Sequence, residues 1–255
     1  MHFDAITYSL LKDRKLRNVA PLCTIETTGW TGSTSGEVLF TGDGTTKDFS
    51  GKVGLPPVNP LSSFVLHYTI GGTTYDATAD ENGNITGTHI TSGTINQDGN
   101  YEIHFDTPPD DTTDGTADYN YGIEPSPIEN IVDSNLETYA GPAWKKLTGS
   151  GIIGSLKIYP PKGIYLAGIR WSFYSLDGTG AVSISYALIS SAGALYEGTL
   201  SPSKVSQGTT EIFRCSGSVF IVIDDITTGF KLDFGTNSAG EYPIKIFELF
   251  LYKLR

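Results

Sequence analysis

The sequence predicts an all-β protein: an N-terminal helix and arm, a small antiparallel β meander or barrel, and then a β-sandwich. Three observations predict it. The 255 residues include 30 glycines and 13 prolines, which punctuate the chain with turns. Between them Tyr, Phe, Val, Ile and Thr recur in short runs, and these residues suit a pleated, half-buried surface. Gly71-Gly72, Asn82-Gly83 and Asp98-Gly99 separate such runs, and these dipeptides accept the positive φ that tight hairpins require.

Residues 1–35 read as a helix followed by a linker arm. Phe3, Ile6 and Leu10 fall on one helical face. Asp4 stands near the start, and Lys12, Arg14, Lys15 and Arg17 stand near the end, an order that suits the helix dipole. A single amphipathic helix has no core of its own. Its apolar face has two places to pack, its own domain or a neighbouring subunit. Residues 20–35, rich in Gly, Ser and Thr, read as a linker around an isolated Trp30.

Residues 36–122 read as the first β domain. In "FVLHYTI", Phe64, Leu66, Tyr68 and Ile70 share one face, and Val65, His67 and Thr69 share the other. In "YEIHF", Tyr101, Ile103 and Phe105 oppose Glu102 and His104. One face is buried and the other polar, the pattern of an antiparallel sheet. Asp110, Asp111 and Asp114 form an acidic turn without the D-x-D-x-D-G order of a calcium loop.

"IEPSPIEN" breaks regular structure with two prolines, and residues 123–255 read as a second β domain. Its candidate strands are "GSLKIYP", "IYLAGIRWSFYS", "AVSISYALIS", "TEIFRCS", "SVFIVID", "GFKLDFG" and "PIKIFELFLYKL". The almost continuously apolar "SVFIVID" has the character of a buried strand. Seven or eight strands in this length fit a two-sheet sandwich.

The net charge of −11 is unevenly spread: residues 1–19 carry +2, residues 20–122 carry −12 and residues 123–255 carry −1. The acidic middle repels phosphate backbones, so no nucleic-acid partner is expected there. No run approaches the ~18 apolar residues of a membrane span, so no membrane insertion is expected. The first residues lack the charge order and cleavage site of a signal peptide. Cys23 and Cys215 form no CxxC pair, which argues against a disulfide framework or a zinc site.

No reaction centre is visible. GxSxG, HExxH, P-loop and strand–helix GxGxxG motifs are missing. Four histidines are scattered at positions 2, 67, 89 and 104. Asp224 and Asp225 are adjacent in a strand and so point to opposite faces, whereas a glycosidase needs two carboxyls across one bond. The expectation is a protein that is not an enzyme.

Three stretches resemble known families. "FDAITYSLLKDRK" resembles the short opening helix of many tailed-phage structural proteins, with Ser9 and Leu11 as departures. Residues 38–120, from "VLFTGDGTTKDFSGKVGLPP" through "YTIGGTTYDATADENGNITG" to "GNYEIHFDTPP", resemble a repetitive β module of virion and tail proteins, and the order of turns agrees from end to end. Residues 128–255 look like a galactose-binding-like (discoidin-type) jelly roll. "IVDSNLETYAG" is similar to that family's early turn and "IKIFELFLYK" to its closing strand.

These resemblances imply a virion structural protein of the tail, baseplate or capsid surface, working with other virion proteins as a homo-oligomer. No cofactor is expected except a structural Ca2+ ion. The jelly-roll likeness places such an ion at Asp133, Thr138 and Glu248, with Asn135 as turn former and Tyr139 where the family has Trp. The same likeness implies host-surface glycan binding through exposed loop aromatics, making the protein a carbohydrate-binding attachment module in the alternative reading. Trp144, in "GPAWKK", is the residue expected to be exposed for carbohydrate or partner contact, whereas Trp171 is expected to face the core. Phe3, Ile6 and Leu10 are the expected assembly helix.

Overall fold

The computed structural model describes residues 19–131, 140–173, 182–190, 197–200, 205–207 and 212–254. Their regular secondary structure is nearly all strand, with only short 3-10 turns beside it, as the all-β prediction has it. The early strands are β1 (Thr24–Thr28), β2 (Gly32–Thr41), β3 (Asp48–Lys52), β4 (Val65–Ile70) and β5 (Thr73–Ala79). There follow β6 (Ile85–Gly87), β7 (Ile90–Ile95), β8 (Asn100–Phe105), β9 (Asp114–Tyr121) and β10 (Ala140–Ala143). Next come β11 (Lys146–Leu147), β12 (Gly151–Tyr159), β13 (Gly163–Phe173), β14 (Val182–Ser190) and β15 (Glu197–Leu200). The last are β16 (Val205–Gln207), β17 (Ile212–Ile223), β18 (Thr227–Thr236), β19 (Gly240–Glu241) and β20 (Ile244–Lys253). The predicted helix, with Phe3, Ile6 and Leu10, lies outside the described residues.

The chain divides into two units. The first comprises Trp30–Ile123 with Trp144–Leu147, and the second takes the described residues before Trp30 and most of those after Ile123. The first unit contains a five-stranded sheet, β2-β9-β4-β5-β6, and a three-stranded sheet, β3-β8-β7. Their inner faces carry the predicted alternation: Phe64, Leu66, Tyr68 and Ile70 are buried, as are Tyr101, Ile103 and Phe105. Phe40 stacks on Phe49 at 4.0 Å between centroids, and Phe105 meets both edge-on at 6.0 Å. Each such buried ring contributes about 1.5–3 kcal/mol of apolar burial. The two sheets are joined along one side by a bridge between Asn84 and Thr94.

Turn chemistry behaves as the dipeptides predict. Gly71 and Gly72 both have positive φ, +60° and +73°, and close the β4–β5 hairpin. Both their N–H groups donate to the Asp110 carboxylate at 2.7 Å. The acidic turn therefore contributes at least one carboxylate as a clamp on a neighbouring hairpin.

The second unit is built from two five-stranded antiparallel sheets, β1-β12-β18-β14-β15 and β10-β20-β13-β17-β16. The segment predicted as a linker departs from expectation here. Thr24–Thr28 form an edge strand paired with β12 from Thr24↔Tyr159 to Thr28↔Ser155. Small polar residues look like linker in sequence, but Ile25 and Thr27 alternate with exposed neighbours, and the pairing satisfies the backbone groups at the edge of β12. β17 also differs from its buried appearance. Ile221 and Ile223 are buried, but Phe220 and Val222 are 58% and 51% exposed on the opposite face.

Candidate functional site

The first unit gathers the chain's acidity around three histidines. His67 on β4 stands opposite Asp76 on β5, and its Nδ1 lies 2.7 Å from the Asp76 carboxylate. Its Nε2 lies 3.5 Å from Asp118 on β9, which also accepts the N–H of Gly36 at 2.7 Å. His89, at φ +65° in the turn before β7, holds Asp106 at 2.9 Å through Nδ1. His104 on β8 holds Asp48 on β3 at 2.7 Å through Nδ1 and meets Glu102 at 3.2 Å through Nε2. Hydrogen bonding to Asp76 raises the pKa of His67 above the usual histidine value, and hydrogen bonding to Asp48 does the same for His104. The acceptors Asp106 and Asp118 are lowered, chiefly by hydrogen bonds from His89 and from the Gly36 N–H respectively.

Position 104 has a second neighbour. Register places Asp48, His104 and Ser92 side by side across β3, β8 and β7, so the three share one face. An open groove of about 430 Å3 covers this face, lined by Asn84, Thr86, Thr91, Ser92, Glu102 and His104 among others. An aspartate, a histidine and a serine in a row invite comparison with a nucleophilic triad. The electrostatics point elsewhere. Nε2, the atom that would take a serine proton, faces Glu102 instead. Hydrogen bonding to Asp48 raises the pKa of the ring, which disfavours the neutral form that a general base needs. The arrangement is a charge-clamped cross-strand ladder. Sequence reading missed it because register, unlike alternation, is not written in a single strand.

Only some of the residues nominated from sequence are among the described residues. Asp133, Asn135 and Thr138 lie outside the described residues, so their approach to Glu248 is not described. The Glu248 backbone stands opposite Arg170 in the β13–β20 ladder. Trp144 corrects the expectation of an exposed platform: it is 8% exposed. An antiparallel bridge to Ile123 holds its backbone, with N···O distances of 2.8 and 3.1 Å, and draws "GPAWKK" into the fold. Trp171 is buried as expected, and its indole N–H meets no acceptor among the described residues. Asp224 accepts the N–H groups of Ile226 and Thr227 within its turn, while Asp225 pairs with Lys162. Cys23 is half-buried, and burial pushes its thiol up to about 11, which makes it unreactive. Among the described residues no group of three or more His, Cys, Asp or Glu is arranged to hold a metal ion.

No family model matches the chain, and no curated protein matches it. Among solved structures, the crystal structure of the infectious bursal disease virus VP2 subviral particle is similar at 12% identity with a TM-score of 0.25. That match covers 91% of this chain and 73% of that chain. The structure of infectious bursal disease virus Gt strain is similar at 10% identity with a TM-score of 0.23, covering 92% of this chain and 72% of that one. Likenesses this remote carry no argument about fold or function.

Proposed function

We propose that the chain is a structural component of a tailed-virus particle, in its tail, baseplate or capsid surface, and that it acts through subunit assembly. The observation that carries this reading is the module over residues 38–120, whose order of turns resembles that of virion and tail proteins. Its glycines and aspartates serve shape: Gly71 and Gly72 turn a hairpin that Asp110 clamps. Its histidines are tied to carboxylates on neighbouring strands, or in the turn beside them. The reading is of a non-enzymatic role, with the acidic surface turned to solvent or to a basic partner on the particle. The galactose-binding-like reading of residues 123–255, with calcium at Asp133, Thr138 and Glu248, belongs to the same proposal. Host-glycan contact has lost its nominated platform, since Trp144 is buried.

Light scattering on the purified chain, with and without a calcium chelator, tests the proposal. A defined trimer, pentamer or hexamer is the result expected of a ring-forming particle component, since homo-oligomers close by point-group symmetry. A monomer at every accessible concentration counts against assembly through this chain. A fall in native mass or melting temperature on chelation is the expected sign of the calcium site, and no change removes it.

A further inference from the structure

The groove beside His104 opens where two sheets part. β6 and β7 are held together at one end, where Asn84 bridges Thr94 and the Ile95 N–H donates to the Gly83 carbonyl at 2.8 Å. No ladder joins them beyond that point, since each is the last strand of its own sheet. At the other end the connecting turn is fixed from outside. The Tyr68 hydroxyl donates to the Thr88 carbonyl, and the Asp106 N–H donates to the His89 carbonyl at 2.9 Å. The groove of about 430 Å3 lies over this parting, with walls set by bonds within the fold. Small-molecule sites run to roughly 300–1,000 Å3, and a preformed one spares the cost of ordering on binding.

The lining selects the ligand by its chemistry. Register forms two rows across the three-stranded sheet, Asp48–His104–Ser92 and Ser50–Glu102–Thr94, and both rows share the outer face. A β-bulge between Ile90 and Ser92 adds Thr91, and Thr91 and Ser92 are both exposed. Asn84 and Thr86 line the groove from β6. Hydroxyls and amides both donate and accept. Asp48 orients the His104 ring through Nδ1 at 2.7 Å. Glu102, 63% exposed, meets His104 Nε2 through one oxygen at 3.2 Å and keeps further acceptor sites on its carboxylate. None of the described lining residues is Lys or Arg. Lys52 shares the sheet face but stands one row beyond, opposite Asn100. An anion would therefore meet the Glu102 and Asp48 carboxylates against a single histidine. A metal ion finds no third strong ligand among the described residues. An apolar ligand would strip water from the hydroxyls and replace none of their hydrogen bonds. A neutral polyhydroxylated molecule suits every group, because its hydroxyls donate to the Glu102 carboxylate and exchange bonds with Thr86, Ser92 and Thr94.

We propose that the groove between β6 and β7 binds a neutral saccharide, with Glu102, His104 and Thr94 as its principal contacts. The site uses none of the residues nominated from sequence for glycan contact. It stands whether or not the chain is part of a virus particle.

The test applies the full chain to an array of neutral oligosaccharides and titrates each hit into the isotope-labelled chain by NMR. Inorganic phosphate and a sialylated trisaccharide serve as anionic probes. At least one neutral oligosaccharide is expected to shift the amide signals of Ser92, Thr94, Glu102 and His104, while both anionic probes leave them in place. Glu102→Gln keeps the shape and removes the charge, and is expected to weaken binding roughly tenfold. Thr94→Val removes one hydroxyl and is expected to weaken it about fivefold. Thr69→Val, on the five-stranded sheet, should leave it unchanged. Unaltered signals from the rest of the first unit show that each variant is folded. No hit among the neutral oligosaccharides, shifts confined to other residues, undiminished affinity in Glu102→Gln, or tighter binding of phosphate would each overturn the proposal.

Discussion

Single residues carry most of the turn geometry in the first unit. Gly83 has φ +82°, and a Cβ there would come within 1.9 Å of the Ile95 carbonyl oxygen. Gly71 has φ +60°, but a Cβ there would meet nothing within 4 Å. Both positions impose the left-handed strain that L-residues resist, and only Gly83 adds a collision with backbone. Gly83→Ala is therefore expected to cost about 2–4 kcal/mol, and Gly71→Ala about 1–2 kcal/mol. Denaturant melts of the two variants check this, and equal losses would show that strain without collision sets the cost. Asp80 works beside Gly83, accepting from the N–H groups of Asn82 and Asn84 at 2.8 Å. The turn residues were readable because their conformations are local. The collision was not, since Ile95 belongs to another strand.

At the scale of elements, alternation decides which changes matter. On β4, Leu66 is buried between two neighbouring strands, while Thr69 on the same strand is half-exposed. Leu66→Ala is expected to cost about 2–5 kcal/mol, and Thr69→Ala about 0.5 kcal/mol. Urea denaturation distinguishes them, and comparable losses would mean that β4 is not held by one face. β20 shows where alternation misleads. Ile244 and Ile246 are buried, but burial resumes at Leu249 and Leu251, one residue out of phase. Arg170 stands opposite Glu248 and Trp171 opposite Ile246, so Phe247 is the extra residue of a β-bulge. In "IKIFELFLYK" Lys245 and Glu248 stand three residues apart, a spacing that strict two-residue alternation does not allow and that the bulge accommodates. β17 is the converse case, where a run apolar on both faces finds a core for only one.

For the whole molecule, the charge distribution sets a stability optimum. Asp43, Asp80, Asp106 and Asp118 all have pKa values lowered from the ordinary aspartate value of 3.8, Asp43 mainly by the Thr46 N–H and Asp80 mainly by Asn84. Their contribution is present above that unfolded value and is lost as pH falls through the folded ones. His67 and His104 are raised from 6.5, so their contribution is complete below 6.5 and is lost as pH rises through the folded values. Thermal melts across pH are therefore expected to peak roughly between pH 4 and 6.5 and to decline on both sides. His67→Gln should flatten the alkaline decline, and an unchanged slope would remove the histidine from this role. Composition, turn dipeptides and two-residue alternation by themselves determined the all-β class, the hairpins of the first unit and the buried faces of β4 and β8. These are properties of a few consecutive residues, set by φ preference and by the pleat. Tertiary structure decided what depends on partners distant in sequence: β1 as an edge strand on β12, Trp144 buried, His104 between Asp48 and Glu102, and Phe220 and Val222 exposed on β17. Each follows from which strands become neighbours, because neighbours set register, and register sets which side chains meet.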